Sequence, residues 1–323
     1  MKSLKGRVAV VAGATRGVGR GIACMLGEAG ATVYCTGRST RANRPPSRPK
    51  NAAPFDMENR PETIEETALM VSARGGEGIH AQVDHTDEKQ VVSLFERVGK
   101  EQGRLDVLVN DVWGCDGLSG TNKPFWKSSL EEGLTMIERG VRAHVITSRY
   151  GVPLMVERKQ GLVVEITDGD GLYYRGYFFY DLVKVAAIRM AFALSEELRK
   201  HKVAAVSLTP GFLRSEAMLE HMGVTEENWR EGAKKNASFI ESETPFFVGR
   251  AVAALAADPK VLRKSGKVLS SWNLAREYGF KDVDGRIPNI AGWVQENMAG
   301  FLEKVRESER RFCNVGSIFS TPE

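Results

Sequence analysis

Seven short apolar segments recur along the chain, and longer segments with helical periodicity separate them. The apolar segments lie at residues 8–12, 32–36, 79–83, 106–110, 162–167, 203–209 and 267–270. Strands that alternate with helices of this length form right-handed βαβ units, and helices then cover both faces of the parallel sheet. The spacing therefore predicts an α/β, doubly wound parallel sheet.

Three segments do not fit this alternation. Residues 39–60 form a Pro-rich insertion after the second strand, and residues 215–244 are a polar, Met-containing, helix-prone insertion after the sixth. Beyond residue 285, apolar residues recur at helical spacing, which is typical of a helix packed on a protein surface rather than on a membrane. We therefore predict one domain over 1–285 and a C-terminal helical extension over 286–323.

Composition excludes several other classes of protein. The net charge of +4 comes without a Lys/Arg run, so no nucleic-acid partner is expected. No apolar stretch approaches the ~18 residues of a membrane span. The four cysteines show no CxxC spacing, and neither a metal site nor a disulfide framework is expected. Because the first residues lack the features of a signal peptide, we expect a cytoplasmic protein.

A glycine-rich segment follows the first predicted strand and opens a helix. Its glycines, Gly13, Gly17 and Gly19, allow the backbone to approach a pyrophosphate, whose charge is met by N–H groups at the helix N-terminus. The residues predicted to bind a dinucleotide here are Gly13, Thr15, Arg16, Gly17, Val18 and Gly19.

The second predicted strand ends in a cation rather than an acid. NAD sites place an Asp or Glu here to bind the ribose 2′-hydroxyl, whereas an Arg suits the 2′-phosphate of NADP. Arg38 follows the strand, Arg16 adds a second cation, and no acid occurs before Asp56. This pattern predicts NADP(H). Asp84, at the end of the third strand, is either a partner for the adenine amino group or a helix N-cap.

Tyr180 and Lys184 are four residues apart, so on a helix their side chains share one face. A nearby cation favours the tyrosinate form and draws the phenol pKa of ~10 toward the working pH. Such a tyrosine exchanges a proton with a carbonyl or alcohol oxygen.

Together these residues resemble the short-chain dehydrogenase/reductase family over roughly residues 5–275. The matching positions are Gly13, Gly17, Gly19, Asp84, Asn110, Tyr180, Lys184, Pro210 and Gly211. The resemblance implies a Rossmann-like sheet of about seven strands and hydride transfer between NAD(P)H and a carbonyl or alcohol. Residues 265–286 also resemble the C-terminal signature of one subgroup of this family.

The resemblance also implies roles for individual residues. Tyr180 becomes the proton donor, and Lys184 binds the nicotinamide ribose. Asn110 belongs to a cofactor-site motif that here reads Asn-Asp-Val-Trp-Gly. Pro210, Gly211 and Ser215 lie on the nicotinamide side of the cofactor. The resemblance also implies a homodimer or homotetramer, the assemblies that members of the family usually form.

Two positions depart from the family pattern. A serine is expected about 13 residues before the tyrosine. Thr167 and Asp168 compete for its place, and we favour Thr167 because its hydroxyl suits the role directly. The family's relay asparagine falls on Gly140, so a water or His144 would have to serve if a relay exists; of the two interpretations of His144, we favour an ordinary helix-surface residue.

The predicted activity is NADPH-dependent reduction of a carbonyl on a small apolar or aromatic substrate. The candidate pocket residues are Trp113, Tyr174 and Tyr177. Two alternatives remain open: a dinucleotide-binding sensor or scaffold that has lost catalysis, and an enoyl reductase. The enoyl reductase would use Tyr177, whose Tyr-x6-Lys spacing to Lys184 is found in that group.

Overall fold

The structure, a computed structural model, describes residues 3–49, 51–118 and 123–313. Seven parallel strands form one sheet in the order β3-β2-β1-β4-β5-β6-β7. They are β1 (Val8–Ala12), β2 (Thr32–Gly37), β3 (Glu77–Gln82), β4 (Val107–Asn110), β5 (Gly161–Ile166), β6 (Val203–Thr209) and β7 (Val268–Ser270). The predicted Rossmann-like sheet is confirmed.

Helices cover both faces of the sheet, as predicted. They are α1 (Gly17–Glu28), α2 (Ile64–Ala73), α3 (Glu88–Gln102), α4 (Leu130–Ile137), α5 (Ala143–Arg158), α6 (Phe178–Leu198), α7 (Glu216–Met222), α8 (Pro245–Ala257), α9 (Ser271–Tyr278), α10 (Ile290–Asn297) and α11 (Ala299–Cys313). A π-helical turn, Glu138–Arg142, joins α4 to α5. No helix in the described residues is long and apolar enough to cross a membrane.

The strand residues divide between two apolar layers. Ala9 and Val11 pack with α1, α2 and α8, whereas Val8 and Val10 pack with α3, α5 and α6. Since both faces are buried, the strands read as continuous apolar runs. In the sheet, β1 lies between β2 on one side and β4 on the other, so the direction in which strands are added reverses between β3 and β4. In such sheets a crevice forms at this reversal, at the carboxyl ends of the strands.

The two insertions contact each other across that edge. Arg48 and Arg60 of the first insertion both pair with Glu220 of α7, at 3.0 and 2.8 Å. Residues after α7 pack around a small apolar cluster of Met222, Trp229 and Phe239. The first insertion is therefore fixed to the second by buried and half-buried ion pairs.

The predicted extension forms α10 and α11 within the described residues, and its positions 314–323 lie outside them. Two side chains of α11 bind the loop between β5 and α6. Ser308 Oγ accepts from the Tyr174 N–H at 3.0 Å, and Glu309 Oε1 accepts from the Leu172 N–H at 3.1 Å. The extension thus packs on the segment that leads into Tyr180.

Candidate active site

A cavity of about 750 Å³ opens at the carboxyl edge of the sheet. Its walls are formed by segments that follow β1, β2, β3 and β4, together with the first insertion and the start of α7. This size is usual for a site that binds a small molecule or cofactor. Of the predicted site residues, those that line the cavity are Gly13, Thr15, Arg16, Gly17, Val18, Arg38, Asp84, Trp113 and Ser215.

The glycine loop before α1 is shaped by a close approach to the end of β4. Gly13 has φ +93°, and a Cβ there would collide with the Asp111 carbonyl group. A Cβ at Gly19 would collide with the Gly13 carbonyl oxygen. Both positions therefore exclude a side chain, which keeps the loop backbone close to the N-terminus of α1, where N–H groups can bind an anion. The Gly17 N–H already donates to the Glu216 carboxylate at 2.9 Å.

Four arginines line the cavity. Arg139 donates to the Gly114 carbonyl at 2.8 Å, and the other three, Arg16, Arg38 and Arg44, lie at what we call the outer end, beside the first insertion. Arg16 Nε pairs with Glu62 at 3.2 Å. Arg16 Nη2 and Arg44 Nε are buried and lack a hydrogen-bond partner within the described parts of the chain. Burial lowers the pKa of both guanidinium groups, and in each case a neighbouring arginine lowers it further. Buried donors among like charges suit an anion such as a phosphate.

Arg44 was not predicted from the sequence. It lies in the 39–60 insertion, beside Asn43, and both residues line the cavity. The Pro-rich, basic character of this segment indicated a loop, but the loop's path decides which of its arginines turns inward. The insertion thus forms an outer wall of the cavity.

Asp84 lies in the cavity wall after β3. Its carboxylate accepts from the N–H and the hydroxyl of Thr86, at 3.0 and 2.7 Å, and lies 3.8 Å from Arg38. The N-cap of α3 is Asp87, whose carboxylate accepts from the Lys89 N–H. The alternative in which Asp84 caps this helix is therefore wrong.

These features fit a dinucleotide phosphate. The backbone at Gly13 and Gly19 leaves a concave surface that a Cβ would fill. Arg16 Nη2 and Arg44 Nε, which have no hydrogen-bond partner among the described residues, belong to side chains that line the same cavity. Among the described residues, no group of three or more His, Cys, Asp or Glu side chains is arranged to hold a metal ion.

Tyr180 and Lys184 lie on α6 and meet a shared aromatic neighbour. The Tyr180 ring packs edge-on against Trp113, with ring centroids 5.7 Å apart. Lys184 Nζ lies 4.3 Å from the centroid of the Trp113 ring and 5.4 Å from that of Tyr180. Trp113, from the loop after β4, therefore links the cavity wall to the Tyr–Lys pair.

Thr167 and Asp168 have separate partners. The Thr167 hydroxyl is buried and donates to the Lys184 backbone carbonyl at 2.7 Å. Asp168 is exposed, and its Oδ2 accepts from the Tyr180 hydroxyl at 2.6 Å. The structure therefore brings Asp168, rather than the favoured Thr167, to the phenol.

The pKa of Tyr180 lies well above its ordinary value, opposite to the expected lowering by Lys184. Burial of the phenol is the main cause, and the negative charge of Asp168 and its hydrogen bond add to it. Asp116 raises the pKa further, while Arg175 opposes the rise. Tyr180 therefore keeps its proton throughout the neutral range.

A buried polar network lies behind the end of β4. Asn110 Nδ2 donates to Glu165 Oε1 at 2.6 Å and to Ser148 Oγ at 2.9 Å. His144 Nδ1 lies 2.8 Å from Glu165 Oε2, and its Nε2 lies 3.1 Å from the Val112 carbonyl oxygen. The expectation that His144 is a helix-surface residue is wrong, because it is 3% exposed and bonded to Glu165. Asn110 is itself fully buried and does not line the cavity.

The geometry of His144 fixes how many protons this network holds. A carbonyl oxygen only accepts, so His144 Nε2 must carry a hydrogen toward Val112. The contact between Nδ1 and Glu165 then needs one more proton, on either the ring or the carboxyl group. The pair therefore has no net charge in either form. It anchors the loop that carries Trp113.

Asp111 lies beneath the glycine loop, at the second position of the Asn-Asp-Val-Trp-Gly motif, where the family motif usually has an asparagine. The Gly19 N–H donates to its carboxylate. Burial raises the pKa of Asp111 to about 7, although the charges of Lys184 and His144 act to lower it. An acid thus faces the Tyr–Lys pair from inside the protein.

The segment after β6 is only partly in the cavity wall. The Thr209 hydroxyl donates to the Pro210 carbonyl at 2.9 Å, and the Gly211 N–H donates to Glu243 at 2.8 Å. Ser215 lines the cavity and caps α7 by accepting from the Met218 N–H. Pro210 and Gly211 therefore set the path of the chain toward Ser215.

Two aromatic residues predicted for the substrate pocket lie elsewhere. Tyr174 is 55% exposed, and its N–H is bonded to Ser308. Tyr177 is buried in an apolar cluster that includes Met136, Phe179 and Val183. Neither lines the cavity, so Trp113 is the predicted pocket aromatic that does.

Sequence comparison relates the chain to known proteins over most of its length. The model of a family described as short chain dehydrogenase matches residues 47–223. Dehydrogenase/reductase SDR family member 1 of Mus musculus is 38% identical over 320 residues, covering 93% of this chain and 94% of the mouse protein. The Homo sapiens protein of the same name is 40% identical over 288 residues, covering 88% and 85%. These relatives belong to the subgroup whose C-terminal signature residues 265–286 resemble.

Solved structures share the fold at lower identity. A short chain dehydrogenase from Mycobacterium thermoresistibile has a TM-score of 0.70 at 20% identity, covering 90% of this chain and 93% of that chain. A structure from Beutenbergia cavernae, with NADP bound at low occupancy, has a TM-score of 0.63 at 24% identity, covering 83% and 96%.

Proposed function

Because the chain belongs to the short-chain dehydrogenase/reductase family, we propose that it is an NADPH-dependent oxidoreductase that reduces a ketone or aldehyde to an alcohol. The observation that carries this proposal is the group formed by Tyr180, Lys184 and Trp113 beside the glycine-loop cavity. It joins a proton donor, a cation and a dinucleotide-sized space at one edge of the sheet.

The choice of NADP(H) rests on the arginines at the outer end of the cavity. Arg16, Arg38 and Arg44 repel one another, and two of them keep buried donors without partners in the described chain. A 2′-phosphate relieves both costs, whereas a ribose hydroxyl can accept a hydrogen bond but leaves the repulsion between the guanidinium groups. These residues would hold the phosphate, the glycine loop the pyrophosphate, and Asp84 the adenine amino group.

When bound, the reduced cofactor supplies the hydride that adds to the carbonyl carbon. The chain's own contribution is proton chemistry and orientation. Tyr180 holds a proton because its pKa is raised, and it donates that proton to the substrate oxygen. Lys184 supplies positive charge and binds the nicotinamide ribose, with Ser215 on the nicotinamide side. A phenol that stays protonated suits reduction better than oxidation.

Asp168 takes the place of the family serine in this mechanism. Its carboxyl group is the one that contacts the Tyr180 hydroxyl, at 2.6 Å. Thr167 acts as a positioning residue, since its hydroxyl is bonded to the backbone of Lys184. This assignment reverses the preference drawn from the sequence.

The substrate we propose is a small apolar or aromatic carbonyl compound. Trp113 lines the cavity and touches both Tyr180 and Lys184, so its ring offers an apolar wall at the reacting end. The burial of Tyr177 among apolar side chains favours carbonyl reduction through Tyr180 over the enoyl reductase alternative.

The test is turnover of NADPH with a panel of ketones and aldehydes, in parallel with Tyr180→Phe. We expect the variant to lose activity by about 10²–10⁴-fold while still binding NADPH. Full activity in Tyr180→Phe would refute the mechanism. Tight NADPH binding without turnover of any carbonyl, alcohol or enoyl thioester would favour the sensor alternative. Direct titration should show tighter binding of NADPH than of NADH.

We also propose a cytoplasmic homodimer or homotetramer. Large apolar side chains are exposed on neighbouring helices, including Leu130 and Leu134 of α4 and Phe178 and Leu182 of α6. Light scattering during size exclusion tests the assembly. A monomer at micromolar concentration would contradict it.

A further inference from the structure

The loop between β5 and α6 decides which group meets the Tyr180 hydroxyl. It spans residues 167–177 and carries Asp168, whose Oδ2 accepts from that hydroxyl at 2.6 Å. Gly169 and Gly176 in this loop have positive φ values of +77° and +85°. Because such glycines give a chain many conformations, the folded protein needs contacts that select the one that places Asp168.

Arg175 supplies such contacts from within the loop. Its Nε donates to the Asp168 carbonyl oxygen at 2.5 Å, and its Nη2 donates to the Gly171 carbonyl oxygen at 2.9 Å. Its Nη1 donates to the Tyr173 carbonyl oxygen and to Asp181 Oδ1, both at 3.1 Å. These contacts use four of the five N–H groups of a guanidinium, so the loop is wound around one planar cation.

The Arg175 side chain is also buried, with 4% of its surface exposed. Its Cζ lies 4.7 Å from the centroid of the Tyr173 ring, which covers the cation with an aromatic face. A Cβ at Gly169 would collide with the Tyr173 hydroxyl and lie 3.2 Å from Arg175 Nη2. Arginines usually keep their charge in water, so this burial indicates that the loop is built around Arg175.

Asp181 connects the same guanidinium to the turn of α6 that bears Tyr180. Its Oδ1 accepts from the Arg175 backbone N–H at 3.0 Å as well as from Nη1. Arg175 therefore holds the Asp168 backbone on one side and the residue after Tyr180 on the other. A lysine ammonium is a point charge with three donors and does not reproduce this planar fork.

We propose that Arg175 is a positioning residue of the active site, whose guanidinium shapes the loop so that Asp168 meets the Tyr180 hydroxyl. Arg175 lies outside the lining of the cofactor cavity. It therefore acts on the reacting end of the site and leaves dinucleotide binding unchanged. This inference rests on the proposed carbonyl reductase activity.

The first test compares Arg175→Met with Arg175→Lys, and Arg189→Met is the matched control because Arg189 is an exposed arginine of α6. We expect kcat to fall by about 10–100-fold in both Arg175 variants, since a misplacement of about 1 Å can have such an effect. The Kd for NADPH should change by less than about twofold, because the lost contacts lie outside the binding cavity. The control should keep the wild-type kcat.

Two results of this test would overturn the proposal. One is a wild-type kcat in Arg175→Met. The other is a loss of NADPH affinity as large as the loss of kcat, because it would show a general disturbance of the fold. Arg175→Lys serves in place of Arg175→Met if the latter does not fold.

Chemical rescue separates the shape of the guanidinium from its charge. Millimolar guanidinium chloride should restore much of the rate to Arg175→Ala, because the planar ion can bind again between the backbone carbonyl groups of the loop. Ammonium chloride at the same concentration should not. Equal effects of the two salts would contradict the need for a guanidinium.

A double-mutant cycle tests whether Arg175 acts through Asp168. In an Asp168→Ala background, Arg175→Met should lower kcat by less than about threefold, because the group that it positions is already absent. A loss as large as in the Asp168 protein would show that the two residues act independently, and the proposal would be wrong.

Hydrogen exchange examines the loop without substrate or cofactor. The Gly169 N–H donates to Thr209 Oγ1 at 2.9 Å, and it should exchange faster in Arg175→Met than in the wild type or in Arg189→Met. Unchanged exchange would show that the loop keeps its path without Arg175. A wild type that reduces no carbonyl would refute the proposed function, and this measurement would still decide whether Arg175 shapes the loop.

Discussion

The two ends of the cavity carry opposite charge. Arg16, Arg38 and Arg44 line the cavity toward the first insertion, whereas Asp111 lines it at the inner end, beside the segment that carries Trp113. Asp168 lies outside the lining and contacts Tyr180, whose ring packs on Trp113. The outer end follows the expected pattern of a dinucleotide site. The inner end carries acids instead: burial raises the pKa of Asp111, and the charge of Asp168 raises the pKa of Tyr180. The two regions therefore present opposite charges to whatever the cavity binds.

The largest expected effect is at the inner end, from Lys184→Met. This change leaves Asp111 and Asp116 without the cation that opposes their burial, and it removes the charge beside Tyr180. We expect kcat to fall by about 10²–10⁴-fold. Lys200→Met, in the exposed turn that follows α6, is the matched control. Near-normal turnover in Lys184→Met would contradict this view, because it would show that the acids near Tyr180 do not need the Lys184 cation.

Asp111→Asn places the amide that is usual in the family at this position, and it tests how much the buried carboxyl group of Asp111 destabilises the folded protein. The folded pKa of about 7 exceeds the ordinary value of ~3.9. The folded state therefore binds more protons between about pH 4 and 7, and its stability falls as pH rises through that window. We expect the variant to gain on the order of 2 kcal/mol above pH 7 and little below pH 4. Urea unfolding at several pH values measures this, and an unchanged pH dependence would contradict it.

Arg44→Ala tests the outer end. The change removes a guanidinium beside the proposed 2′-phosphate site, so KM for NADPH should rise roughly tenfold while KM for NADH stays nearly constant. Arg41→Ala is the control, because Arg41 is exposed and does not line the cavity. An equal rise in KM for NADPH and for NADH would show that Arg44 does not bind the 2′-phosphate.

Ser308→Ala should have the smallest effect. It removes one hydrogen bond from α11 to the loop that follows Asp168, a loss of about 1 kcal/mol or less. We expect faster hydrogen exchange at the Tyr174 amide and less than about a threefold change in kcat. Glu303→Ala, on an exposed part of the same helix, should leave the exchange unchanged. Equal exchange in both variants would argue against a link between the extension and the active-site loop.

The sequence predicted the sheet well because each strand is a local apolar run. All seven predicted segments became strands, and the glycine loop, Arg38 and Ser215 reached the cavity. These features depend on short-range patterns and on the shared carboxyl edge of parallel strands.

What the sequence did not reveal depends on contacts between distant residues. Arg44 enters the cavity because the insertion is tied to α7, some 170 residues later. His144 is buried because Glu165, near the carboxyl end of β5, supplies its partner. The choice between Thr167 and Asp168 turns on one position along the chain, which fixes whether a side chain meets the Lys184 carbonyl or the Tyr180 hydroxyl.

The hydrogen bonds from α11 to the loop before Tyr180 have a consequence for how such enzymes diverge. The family model matches residues 47–223, while α11 begins at Ala299. A mutation in α11 can therefore alter the loop beside the phenol while it leaves every residue of the matched region unchanged.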